Sequence, residues 1–124
     1  MIYSLDSGET ITTIPHRREY DIWRGRLTDE QYQAIFDALN NRIDTNEIHT
    51  SSWMPGADLT GTVFEPIYEI ACRRDEDAAA KFFGLILWHV ILEREELWSF
   101  GRYEKDGFPI EGMTYFRLDT RPFR

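Results

Sequence analysis

The sequence predicts a single α+β domain over residues 1–124. Its expected architecture is a mostly antiparallel sheet of about four to five strands, packed against a long buried helix (about 76–96) and an amphipathic helix (about 29–43). Residues 82–92 are apolar except for Gly84 and His89, so a helix there is hydrophobic all the way round and needs cover on several sides. Tyr32, Ile35, Phe36, Leu39 and Ile43 recur at three- and four-residue steps, the signature of one apolar helical face. Toward both ends of the chain, β-branched and aromatic runs are punctuated by Gly, Asp and Pro turn signals.

Taken in order, residues 1–5 and 9–15 read as a hairpin turning through Asp6, Ser7 and Gly8. Over residues 16–27, Tyr20, Ile22 and Trp23 stand among arginines and acids in an uneven alternation, read as a strand with Arg24 and Arg26 on one side. Those arginines are either a salt-bridged surface or, with Arg17 and Arg18, a local basic patch. Thr28 opens a capping box with Gln31, and the helix that follows ends over residues 40–45, where Asn, Asp and Thr favour caps.

Residues 47–54 read as a further strand stopped by Pro55-Gly56, with His49, Ser51 and Trp53 on one side of it. After a polar loop at 58–62, residues 63–74 are expected to form a short helix with Pro66 in its first turn and Ile67, Ile70 and Ala71 facing inward. Residues 73–77 make the corner into the long helix, with Asp75 as N-cap and Glu76 and Asp77 suiting the positive end of its dipole. The clearest strand pair joins residues 97–104 to 108–118 across Lys105-Asp106-Gly107. The segment from Asp119 is expected to be loosely held.

Aromatic residues make up 15% of the chain, which is high, so the core or an interface is rich in rings. The one cysteine, Cys72, leaves no intrachain disulfide, and no Cys/His spacing matches a zinc site, which fits a reducing cytoplasm. The apolar run falls short of the roughly 20 residues a bilayer crossing needs, and the opening residues do not read as a secretory signal. No membrane, metal or cofactor is expected.

The net charge of −8 is concentrated in the middle: residues 28–96 hold fourteen acidic and five basic side chains, whereas the flanking segments are nearly balanced. That charge repels phosphate backbones, so nucleic acid is not an expected partner. A cationic ligand or a basic protein surface fits it.

Chemistry could sit in several places. Glu93, Glu95 and Glu96 fall in the expected last turn of the long helix, facing the negative end of its dipole, where each costs up to about 1 kcal/mol. Arg94 answers only part of this, so an opposing group is expected from Arg102, a bound cation or a partner. His89, Glu93 and Glu96 share one stripe at i, i+4, i+7. They read either as a histidine poised for acid–base work or metal binding, or as a core histidine bonded to backbone beside a solvated helix end.

On the middle strand, His49 and Ser51 lie about 6.5 to 7 Å apart, too far for a nucleophile–base hydrogen bond. Trp53 with Asp58, Thr60 and Thr62 would wall a small-molecule pocket, or simply serve the Pro-Gly turn. Glu65 and Glu69, with Cys72 on the same stripe, form an acid–base cleft if their helix packs near His49, and otherwise a solvated face. Cys72 is a thiol nucleophile for His49 or, more plainly, a small buried hydrophobe. The rings of Trp98, Phe100, Phe108, Tyr115 and Phe116 call for cover on both sides of their hairpin, from the domain itself or from a second copy of the chain.

No motif names an activity. Two functional readings follow. The first is a small cytoplasmic binding or accessory protein, a homodimer or one bound to a protein partner, acting through an acidic, aromatic-rich surface. The second is an enzyme or small-molecule-binding domain with a cleft for a cationic or polar ligand that gathers His49, Trp53, Glu69 and His89.

Overall fold

The computed structural model describes residues 1–4, 8–44, 48–50, 62–101, 104–105, 108–109 and 114–117. In chain order the backbone forms β1 (Ile2–Ser4), β2 (Glu9–Ile11), α1 (Arg17–Gly25), α2 (Asp29–Ile43), β3 (Ile48–Thr50), a π-helical turn (Ile67–Ala71), α3 (Glu76–Glu93), β4 (Trp98–Gly101), β5 (Glu104–Lys105), β6 (Phe108–Pro109) and β7 (Thr114–Arg117). The class is α+β.

The most apolar stretch forms the centre. The Asp75 side chain caps α3 by accepting from the Ala78 amide at 3.0 Å, satisfying a donor that the first turn leaves open. From Phe82 to Ile91 every side chain is buried except His89, which is half-buried. Cover comes mainly from other helices, since α1, α2 and the π-turn all pack on α3. Trp23 of α1 lies 5.5 Å from Phe82, and Phe64 meets Phe83 edge-on at 5.7 Å. Trp88 carries the contact to the sheet, 5.0 Å from Phe100 and 6.2 Å from Tyr115, and its indole N–H donates to the Thr13 carbonyl at 3.1 Å. Among the described residues no helix is long and apolar enough to cross a membrane.

The sheet differs from the expected mostly antiparallel one of four to five strands packed against a long helix. It is mixed, in the order β2-β1-β4-β7-β3, and its centre is a three-strand unit, β1-β4-β7. There β1 runs parallel to β4, with Ile2 opposite Trp98, while β7 runs antiparallel to β4 from Trp98↔Arg117 to Gly101↔Thr114. The parallel ladder arises because the Trp98 amide donates to the Met1 carbonyl at 2.9 Å, bringing the start of the chain beside the exit from α3. β2 folds back on β1 through Gly8, at φ 70, a conformation glycine adopts without steric cost. The expected pairing of residues 97–104 with 108–118 is present, as two antiparallel ladders: β4 pairs with β7, and β5 with β6, Lys105 opposite Phe108.

Three further expectations are corrected. Residues 17–25 are helix, not strand: Tyr20 and Trp23, one helical step apart, are buried while Ile22 is 50% exposed, and Arg17 pairs with Asp21 at i, i+4. Residues 67–71 wind as a π-turn closed by Cys72 N–H to Ile67 C=O at 3.0 Å. Its wider turn keeps Ile67 and Ala71 buried but carries Ile70 outward to 41% exposure. Finally, α3 stops at Glu93 with Arg94 extended, so Glu95 and Glu96 lie beyond the helix and the His89–Glu93–Glu96 stripe is cut short. The corner before α3 is tight, with Arg73 and Arg74 both left-handed at φ 51 and 65.

Candidate functional site

The single half-buried histidine of α3 meets two tyrosines delivered by the neighbouring helices. Tyr32 lies in the first turns of α2, whose entry is set by the reciprocal Thr28–Gln31 capping box, and Tyr20 lies in the middle of α1. The Tyr32 hydroxyl is 2.7 Å from His89 Nδ1, and the Tyr20 hydroxyl is 2.6 Å from that of Tyr32 and 3.4 Å from Nδ1. Phe36 packs edge-on against the imidazole at 5.2 Å. On the opposite edge of the ring, Nε2 faces the Glu93 carboxylate at 3.5 Å. Hydrogen bonds and ring contacts thus link three helices through one imidazole.

Burial sets the protonation of this cluster. It raises both tyrosine pKa values, that of Tyr32 further through its bond to Tyr20, so both phenols stay protonated. Burial also lowers the His89 pKa, against the opposing pull of Glu93, and keeps the ring neutral near pH 7. The Arg24 guanidinium lies over the Tyr32 ring at 4.2 Å while bonding Asp29 at 2.8 Å.

One turn beyond His89 an open groove of about 840 Å³ runs between α2 and the end of α3. Half-buried Phe36 supplies apolar lining with the buried Val90 behind it, Asp37 and Asp44 line the α2 side, and Glu93, Glu95 and Glu96 line the α3 side. Arg94 answers part of this charge: its guanidinium donates to Asn40 Oδ1 at 2.7 Å, Asp44 Oδ1 at 2.6 Å and Glu96 Oε1 at 2.7 Å. A second cation at the helix end, among the described residues, is the Met1 ammonium, which donates to the Ile91 carbonyl at 2.7 Å and the Arg94 carbonyl at 2.6 Å. The Ile91 carbonyl also accepts from the Arg94 amide at 3.2 Å and the second carbonyl is that of the C-cap residue, so the ammonium adds positive charge at the negative end of the helix, where it is favoured. The opposing group expected from Arg102 or a ligand is therefore supplied in part by the amino terminus.

The residues singled out in the sequence fare differently. His89 and Glu93 are brought together. Glu69 sits on the π-turn and bonds Arg74 Nε at 2.9 Å, while the bonds of His89 go to the tyrosines and Glu93. His49 is on β3 opposite Tyr115, and Ser51 and Trp53 lie outside the described residues, as do Asp58, Thr60 and Arg102. The buried Cys72 thiol is pushed up to about 12, by burial first and then by the charge of Asp75, so it holds its proton. Among the described residues no group of three or more His, Cys, Asp or Glu is placed to hold a metal.

Sequence reasoning missed Tyr20 and Tyr32 as partners of His89. The signal was present: a tyrosine on the apolar face of one helix and a histidine in the apolar run of another each bury a polar tip that requires a partner. No protein-family model, curated protein or solved structure matches the chain.

Proposed function

We propose that the protein is a small binding protein whose groove between α2 and the end of α3 receives a basic segment of a partner protein. The observation that carries this reading is the charge of the lining: five carboxylates against one guanidinium, beside the half-buried ring of Phe36. Such a channel suits Lys or Arg side chains, whose charged ends meet carboxylates while their methylene stems cover apolar surface. The overall charge of −8 adds long-range attraction for a basic partner and speeds its encounter. A second copy of this acidic chain is the poorer occupant, because like charges would meet in the groove.

The test is titration of a lysine- and arginine-rich peptide, with a glutamate-rich peptide as control, followed by calorimetry at two salt concentrations. Binding is expected for the basic peptide alone, weakening as salt screens the exposed carboxylates. Replacing both Glu93 and Glu95 by Gln is expected to weaken it by about three- to tenfold, from roughly 0.5 kcal/mol or somewhat more per exposed charge. Equal affinity for the two peptides, or no loss in the double variant, would contradict the reading.

A further inference from the structure

The hydrogen-bond chain at the three-helix junction has a direction, and one proton sets it. With the Glu93 carboxylate 3.5 Å from Nε2, the single proton of neutral His89 belongs on Nε2, which leaves Nδ1 as a bare acceptor turned inward. The Tyr32 hydroxyl donates to Nδ1 at 2.7 Å, and the Tyr20 hydroxyl donates to the Tyr32 oxygen at 2.6 Å. Each proton in the chain then has one acceptor.

Protonation of the imidazole reverses this chain. Nδ1–H must donate to the Tyr32 oxygen, Tyr32 must turn its proton to Tyr20, and the Tyr20 proton loses its acceptor. Tyr20 is only 5% exposed, and its hydroxyl bonds no group among the described residues besides Tyr32 and His89. A buried donor is stranded between α1 and α2. The outer edge of the ring gains instead, because a charged Nε2–H is attracted more strongly to Glu93, itself 62% exposed on the groove. The other charges near the ring come from α1, where Arg17 is paired with Asp21 and Arg24 with Asp29 of α2. Both arginines disfavour a second positive charge.

We propose that His89 is a proton-operated latch: neutral, it pins α1 and α2 to α3 by accepting from Tyr32, which accepts from Tyr20, and protonated, it reverses that chain, strands the Tyr20 proton, strengthens its attraction to Glu93 and loosens the junction. A consequence for the groove, one negative charge offset in mild acid, rests on the proposed docking of a basic segment. The latch itself does not, and its readouts involve no peptide.

Two measurements test it on the full chain. The first is nitrogen NMR of the His89 ring from pH 8 to pH 5, in the parent chain and in Tyr32→Phe. The latch requires the Nε2–H tautomer at pH 8. It also requires the Tyr32→Phe midpoint to rise, by about fivefold in the protonation constant, because a bond to the neutral ring is lost. A merely buried ring would instead titrate at the same or lower pH once a hydroxyl is removed, and that result, or the Nδ1–H tautomer, overturns the proposal.

The second is amide hydrogen exchange in α1 at pH 7.5 and 5.5, corrected for the intrinsic rate. Protection is expected to fall several-fold in acid in the parent chain and to stay level in His89→Gln, which keeps an acceptor and a donor but cannot titrate. A level parent chain, or an unchanged acid response in His89→Gln, overturns it. Should His89→Gln fail to fold, the Tyr32→Phe titration decides alone.

Discussion

His89 joins a buried hydroxyl pair to an exposed carboxylate, and that position makes its titration a stability term. Burial lowers the pKa of the folded state below the ordinary imidazole value of 6.5, so the unfolded chain takes up the proton first. The contribution is therefore complete above about pH 6.5 and is lost as the pH falls through the lower folded value. Urea unfolding across pH 7.5 to 5 is expected to show a fall in stability that His89→Gln removes; a parallel fall in both chains would assign it to other groups.

The Met1 ammonium is the second residue with an outsized role, because two carbonyls at the end of α3 accept from it. Acetylating it, or placing residues before it, removes the charge and leaves at most one donor. A loss on the order of 1 kcal/mol is expected, read as a lower Tm. The role of His89 was half legible in the sequence: its odd placement in an apolar run was plain, but its partners were not, because Tyr20 and Tyr32 reach it from sequence separations of 69 and 57.

At the scale of elements, local signals were reliable where the physics is local. The Thr28–Gln31 box and the Asp75 cap form as their side chains dictate, and Thr28→Ala is expected to cost about 1 kcal/mol, measurable by denaturant unfolding. Arg17 to Gly25 was misread as strand because only two of its residues, Tyr20 and Trp23, are buried, too few to display a helical period in a segment full of charge.

A short helix at this place with Ile67 and Ala71 inward was legible, but its π winding was not, since an i→i+5 bond changes which residues share a face without leaving a mark in the sequence. Its consequence separates two isoleucines. Ile67→Ala is expected to cost about 2 to 5 kcal/mol and Ile70→Ala about 0.5 kcal/mol or less, whereas an ordinary helix with both facing inward would make the two losses comparable.

Across the whole molecule, the apolar middle of the sequence became a helical core and both ends of the chain contributed to a mixed sheet. The α+β class followed from periodicity and turn signals. The sheet order did not, because the β1–β4 parallel ladder depends on the bond between Met1 and Trp98, a long-range contact with no local trace. That same approach of the chain start to the end of α3 places an ammonium where the glutamates crowd, and so leaves their carboxylates to line the groove.

The binding reading rests on that groove, and the most direct measurement of it is a backbone amide chemical-shift map during titration with a lysine- and arginine-rich peptide. The account predicts saturable shifts clustered over residues 36–44 of α2 and 90–96 at the end of α3, abolished by high salt. Shifts absent altogether, or concentrated instead on α1 around Arg17 to Arg26, would contradict it.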